Sequence, residues 1–423
     1  MKIFAICYYA PPKLTPQSIQ IGRQLYHMDA QVTLLHGNDP EFKDDYDQYP
    51  DFFQRIKSLC VLSPGTFFKG LAHRFARRLL PLYGTCPDFL APWRRRALVV
   101  AAQHIKQDRP DAIVSFGVPM SDHLLALELK RRTGLPWLAH FSDPWANNPF
   151  HLSSALVRKV NALMEHQVID AADRVLFTSV RTRDMVMSKY PEAWGSKAAV
   201  LPHAWDMDHF ASARTAVPAS VPQQEPDRRH VVRYIGACYG ARSPEPLFVA
   251  LGRMLERNRD ALDNVRFEFV GALQRVFLES AAFKALPAGL VSIVCQVPYR
   301  ESLRLASASA ALLVIDAPSS VASVFLPSKL VEYIGARRPV WGITPHGTSA
   351  DLIAEWAGND QASASPDNID GIVCMLEGAI ARLDDGAAEL APEHIIQRFA
   401  APLVAAALKG QVQHAIAHSD SRT

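Results

Sequence analysis

The chain has 423 residues, too many for one hydrophobic core, so two domains of roughly 200 residues each are expected. With 49% hydrophobic and 21% charged residues, the composition is that of a folded globular protein and excludes a disordered or fibrous one. The net charge is +3, no nucleic-acid partner is expected, and no stretch approaches the ~20 apolar residues that cross a bilayer.

The six cysteines, at 7, 60, 86, 238, 295 and 374, are scattered and lack any C-x-x-C spacing. They read as reduced residues of a cytoplasmic protein, with no zinc site. The apolar run Ile3 to Tyr9 is too short for a signal peptide and is expected to be the first strand. Charge is unevenly spread: residues 39–51 carry six acids, whereas residues 65–96 carry seven Lys or Arg against one Asp.

After the first strand, a proline-bearing loop leads to Ser18 as the cap of a helix reaching about Met28, and a second strand covers Gln31 to His36. Residues 39–58 give no clear pattern. From 66 to 80, Phe68, Leu71, Phe75 and Leu79 fall on one helical stripe, with Lys69, Arg74, Arg77 and Arg78 largely off it. Together with Trp93-Arg94-Arg95-Arg96, this stripe fits either an anionic membrane surface, at the inner face of the plasma membrane, or the flank of its own domain. Strands at 112–116, 136–141, 174–178 and 198–201 then alternate with helices at about 94–107, 121–132, 154–171 and 181–189. Strands that alternate with helices imply a doubly wound parallel sheet.

Residues 211–229, rich in Ala, Pro, Ser and Gln, read as a linker between a domain of 1–210 and one of 230–392. The second domain repeats the alternation, with strands at 231–235, 266–270, 291–295, 311–315 and 339–343 and helices at about 244–258, 299–309 and 348–357. A last amphipathic helix covers 393–416, and 417–423 is expected to be a disordered tail. Two Rossmann-like α/β domains facing across a cleft is the fold class this pattern implies, with ligands at the carboxyl ends of the strands.

Phe325 to Gly342 is the richest of those strand-end stretches. Pro327 fits the first turn of a helix and Ser328 its cap, so free amides would stand at the helix mouth beside Lys329 and Glu332, which share a face. Gly335 is expected to end that helix. A cation, a carboxylate and free amides suit a diphosphate joined to a ribose; the simpler alternative is a surface Lys/Glu pair. Gly236-Ala-Cys-Tyr-Gly240-Ala-Arg242 follows a strand and would cradle phosphates with its amides and Arg242, although it lacks the G-x-G-x-x-G spacing of a dinucleotide site. In the first domain, His140-Phe-Ser142-Asp143-Pro-Trp145 ends a buried strand, and Pro202-His203-Ala-Trp-Asp206 ends another. Each of these residues alone would also serve as a cap or as packing. The Asp206-x-Asp208 pair is not taken as a metal site, for no partner carboxylates lie nearby in sequence.

Pro327-Ser-Lys-Leu-Val-Glu332-Tyr-Ile-Gly-Ala-Arg-Arg-Pro339-Val resembles the donor-site signature of the GT-B retaining glycosyltransferases of family 4, also called group 1. His140-Phe-Ser-Asp143-Pro-Trp145 is similar to the Asp-Phe-Arg-Asp-Pro-Trp of a branch that makes bacterial surface polysaccharides, and the order of segments matches along nearly the whole chain. The resemblance implies transfer of a sugar, with retention, from a nucleoside diphosphate sugar to a glycan or lipid-linked acceptor. It implies no cofactor and no metal. Arg242 and Lys329 would bind the donor diphosphate with Gly236 and Ser328, and Glu332 the ribose. Asp143 and His140 are the catalytic candidates, with Ser142, Trp145 and His203 as sugar or acceptor contacts, and the last helix would cross back onto the first domain. Two positions depart from the family: Val324 stands where a sugar-binding Glu is usual, and Ser142 where many members carry His before the Asp. They keep open a nucleotide-binding scaffold without transfer, and a sugar-nucleotide epimerase of the same plan is a further alternative.

Overall fold

The structure, a computed structural model, describes residues 1–46, 49–62, 86–149, 154–215, 230–385 and 390–420. The basic stripe expected at 66–80 lies outside the described residues. The chain divides into two compact units, one of Met1–His203 with Ala401–Thr423, the other of Ala204–Ala400.

In the first unit, seven strands among the described residues form one parallel sheet: β1 (Lys2–Ile6), β2 (Gln31–Asn38), β3 (Lys57–Leu62), β4 (Ala112–Gly117), β5 (Trp137–Phe141), β6 (Arg174–Phe177) and β7 (Ala198–Val200). Their order is β3-β2-β1-β4-β5-β6-β7, so the winding reverses between β1 and β4. Strands β4, β5 and β6 are buried at every position, as a parallel sheet covered on both faces requires.

Several expectations for this unit are corrected. The first strand stops at Ile6, and Cys7–Tyr9 begin the loop. Thr15, not Ser18, caps the helix Pro16–Tyr26; its hydroxyl accepts from the Ser18 amide at 3.1 Å, and Ser18 is buried inside the first turn. The unassigned 39–58 segment holds a short helix, Phe52–Arg55, and the start of β3. Trp93 is fully buried in the helix Ala91–Gln107 and donates to the Val61 carbonyl at 3.0 Å, so only Arg95 and Arg96 of the 93–96 group are exposed. The C-terminal helix Ala401–Asp420 runs through 417–420, expected to be disordered, because apolar positions Val404, Ala405, Leu408, Val412 and Ala415 bury one face. It packs on the helix Pro16–Tyr26, and Gln411 accepts two hydrogen bonds from Arg174, at 2.9 and 2.6 Å.

The second unit has six parallel strands among the described residues: β8 (His230–Ile235), β9 (Val265–Val270), β10 (Val291–Val294), β11 (Ala311–Ile315), β12 (Val340–Ile343) and β13 (Ser363–Ala364). The order β10-β9-β8-β11-β12-β13 puts its reversal between β8 and β11. Ala211–Thr215, expected in the linker, complete the helix Met207–Thr215, and 216–229 lie outside the described residues. Asp206 accepts from the Asp208 amide at 3.0 Å, which makes it a cap for that helix. A helix at Ile369–Asp384 was not expected; Ile372, Val373, Leu376, Ala379 and Ile380 keep helical spacing and are buried, while Gly371 and Gly378 blur the pattern.

Gly335 does not end its helix, which runs Ser328–Ala336 and closes at Arg337 with φ of 55°. A Cβ on Gly335 would lie 2.3 Å from the Phe210 ring and 2.8 Å from Trp205, so the glycine is needed for close packing.

Candidate functional site

In the second unit, the site is built at the reversal between β8 and β11, where an open parallel sheet leaves a crevice outside its strand ends. The helix Ser328–Ala336 is fixed there by Tyr333, whose buried hydroxyl accepts from the Ile235 amide at 2.9 Å. One turn earlier on the same face stands Lys329. Its ammonium donates to the Tyr234 hydroxyl and sits 4.0 Å from the centre of that ring. The Tyr234 hydroxyl in turn donates to the Ala237 carbonyl at 2.9 Å.

Gly236 has φ of 134°, and a Cβ there would come within 2.9 Å of the Lys329 nitrogen. Glycine is therefore required twice over, by the backbone and by the lysine. Burial, together with the positive charge of Arg242, lowers the Lys329 pKa to about 7; Cys238 and Asp316 partly offset this. Arg242 approaches Asp316 at 3.9 Å, and its Nε is buried with no hydrogen-bond partner. Asp316 directly follows β11, with Oδ2 accepting from Ser349 at 2.6 Å. Gly236, Arg242 and Lys329 thus come together. Ser328 is the first residue of its helix and makes no capping bond; Pro327 holds the cap position, so Ser328 is not the cap that the sequence suggested. Glu332, one turn along the helix, accepts from the Tyr299 hydroxyl at 2.9 Å.

In the first unit, the predicted residues lie at the ends of β5 and β7. His140 is within β5 and 1% exposed; burial lowers its pKa to about 4, with one ring nitrogen 3.4 Å from the Leu201 carbonyl and the other unpartnered. His203 has its pKa lowered to about 3, first by burial and then by the charges of His140 and Arg23. Both are neutral at pH 7. Ser142 and Asp143 are half-buried just past the strand, and Thr178 donates to the Ser142 carbonyl at 3.0 Å. Trp145 is 5% exposed, so it packs under the loop and does not offer its face to a ligand; its indole donates to Asn161 at 3.1 Å.

Sequence reasoning missed Tyr234, Asp316, Ser349 and Tyr299, and in the first unit Glu165. Asp316 carried a visible signal, as a charged residue directly after the wholly apolar run Ala311–Ile315. Glu165 carried none, because a Glu in mid-helix is ordinarily solvated. It is fully buried and accepts from the Ala146 amide at 2.9 Å and the Tyr190 hydroxyl at 2.6 Å, and it pairs with Lys189.

Residues 58–203 match the family model described as a glycosyl transferase 4-like domain. None of the curated proteins matches the chain. Among solved structures, HepE of Anabaena in complex with UDP is similar, with 13% identity over 98% of this chain and 100% of that one and a TM-score of 0.65. The lipopolysaccharide outer core galactosyltransferase WaaB in its apo form is 17% identical over 98% and 99% of the two chains, with a TM-score of 0.61. A putative UDP-N-acetylglucosamine 2-epimerase from Listeria monocytogenes is 10% identical over 97% and 95%, at 0.57. At such identities the likeness establishes the fold. That fold is GT-B, two parallel-sheet Rossmann-like units in one chain.

Proposed function

We propose that the protein is a glycosyltransferase, which takes a sugar from a nucleoside diphosphate sugar and passes it, with retention, to a glycan or lipid-linked acceptor in surface polysaccharide synthesis. The carrying observation is the meeting of Lys329 and Arg242 at Gly236, on the strand ends where the second sheet reverses. Two cations held in partly buried surroundings attract a diphosphate more strongly than two solvated ones would. The first-turn amides of Ser328 and Lys329 have no acceptor within their own helix and add to the attraction. Charge that gathers on the departing diphosphate would meet these groups ready placed, with no metal required.

Glu332 is our candidate for the ribose hydroxyls, and Tyr299 would hold its carboxylate in place. Asp143 is the acceptor-side candidate. His140 is assigned a supporting place only, since a buried imidazole with a pKa of about 4 is a poor base at neutral pH. The UDP carried by the Anabaena structure supports a uridine nucleotide as the first donor to try.

A calorimetric panel of UDP, ADP and GDP, with their sugar conjugates, tests this reading. One nucleoside diphosphate is expected to bind selectively, with Arg242→Ala and Lys329→Ala each weakening it at least tenfold. Glu332→Gln should weaken UDP more than 2′,3′-dideoxy-UDP. Unchanged turnover in the first two variants would refute the donor site. The Listeria neighbour motivates the epimerase alternative, which requires conversion of the nucleotide sugar with no acceptor added. Binding without transfer or hydrolysis over the whole panel would favour the scaffold.

A further inference from the structure

Asp316 stands at the end of β11 and is 8% exposed, its backbone amide bonded to the Ile343 carbonyl at 3.0 Å. A carboxylate this buried needs partners. One oxygen has the Ser349 hydroxyl, 2.6 Å away on a side chain that is 1% exposed. The other, Oδ1, makes no hydrogen bond and faces the Arg242 guanidinium at 3.9 Å. That separation is an ion pair but too long for a hydrogen bond, so Arg242 is held by charge while its N–H groups stay unspent. The unbonded, buried Nε of Arg242 shows the same thing from the other side.

Lys329 feels the same carboxylate. The groups that act on its ammonium are Tyr234 from β8, Cys238 and Arg242 from the following loop, and Asp316 from β11; Arg242 opposes its charge, whereas Cys238 and Asp316 favour it. Two cations brought together in a half-buried site repel each other, and one of them can relieve the repulsion by giving up its proton. An anion fixed between β11 and Ser349 counters this.

We propose that Asp316 is a positioning residue of the anion site: clamped by Ser349, it holds the Arg242 guanidinium in place and supports the charge on Lys329, so that both are ready for a nucleoside diphosphate. This rests on the donor-site reading above. Asp316 acts through the two cations.

The test is UDP binding by calorimetry between pH 6 and pH 9, on wild type, Asp316→Asn, Ser349→Ala, Lys329→Arg and the double variant D316N/K329R. Wild-type affinity should fall on the alkaline side as Lys329 loses its proton. In D316N, which keeps the shape of the side chain, that limb should move to lower pH, so that binding is roughly tenfold weaker than wild type at pH 8 and no more than about threefold weaker at pH 6. S349A should shift the limb in the same direction by less. In the K329R background, where the cation does not titrate, D316N should change affinity by the same factor at both pH values. A D316N profile parallel to wild type, or tighter binding at every pH, overturns the inference and leaves the donor site standing. Failure of wild type to bind UDP, ADP or GDP overturns the donor-site reading, and this inference with it.

Discussion

The Lys329 ammonium donates to the Tyr234 hydroxyl and lies 4.0 Å from the centre of the same ring, so one tyrosine offers it both a lone pair and an aromatic face. Tyr234 is 1% exposed and sits near Phe269, with ring centres 5.5 Å apart, which leaves it little room to turn. The lysine is thereby aimed by a rigid side chain and not by its own flexible stem. Tyr234→Phe keeps the face and loses the oxygen, and should weaken UDP binding about threefold. Tyr234→Leu loses both and should cost about tenfold or more, since a desolvated cation–π contact is worth roughly 1–2 kcal/mol. Equal effects in a titration of the two variants would show that the aromatic face contributes nothing.

Lys329 also ties stability to pH. Its folded pKa of about 7 lies below the ~10.4 of an unfolded lysine. Between those values the unfolded chain holds a proton that the folded chain has given up, so this group makes stability rise with pH from about 7 upward. Below pH 7 both states are protonated, and the cost of burying the charge is borne in full. Lys329→Met should therefore raise the urea midpoint at pH 6–7 relative to wild type, with the difference shrinking toward pH 9. The same variant should lose nucleotide binding, so that the residue trades stability for function. A difference that stays constant from pH 6 to 9 would contradict the assignment.

Gly335 offers a separate check on how the helix Ser328–Ala336 is placed. A methyl group there meets Phe210 at 2.3 Å and Trp205 at 2.8 Å, both buried aromatics. Alanine gains up to about 1 kcal/mol of helix propensity over glycine, while overpacking costs about 1–3 kcal/mol. Gly335→Ala should accordingly lower the urea midpoint and weaken UDP binding, because a helix pushed off Phe210 carries Lys329 away from Gly236. A stabilised variant with intact binding would mean that the aromatic pair yields freely.

The strands could be read from the sequence almost throughout, because a parallel sheet covered on both faces makes continuous apolar runs such as Ala311–Ile315 and Ile3–Ile6. Strand ends then pointed to Gly236, Arg242 and Lys329, which the structure brings together. What stayed hidden depended on tertiary partners. Tyr234 is an ordinary residue, and Asp316 only a charge after an apolar run, until the sheet order sets β8 beside β11. Gly335 looked like a helix stop because its real neighbours, Trp205 and Phe210, lie more than a hundred positions earlier. His140 looked like an available base, and only the packed structure shows it enclosed between Phe116 and the Leu201 carbonyl. The helix Ile369–Asp384 was lost to its two glycines.

In the first unit, the segment after β5 is held from beneath by one helix, Ala155–Ala171. Asn161 takes the Trp145 indole at 3.1 Å, and Glu165, one turn on, takes the Ala146 amide at 2.9 Å. Glu165 is itself fixed by Lys189 and the Tyr190 hydroxyl, so both of its oxygens are engaged. Asp143 sits two residues before Trp145, at the near end of this fastened stretch. If Asp143 works at the acceptor, loosening the fastening should lower turnover and leave the donor site untouched. Glu165→Gln keeps the size of the side chain and one acceptor oxygen but removes the charge that partners Lys189. The expected result is a fall of about tenfold in kcat with the UDP dissociation constant within about twofold of wild type. Trp145→Phe, which loses only the bond to Asn161, should show the same pattern more weakly. Loss of UDP affinity in proportion to turnover would instead mean that the substitution disturbs the whole chain, and the Asp143 loop would then have no separate part in transfer.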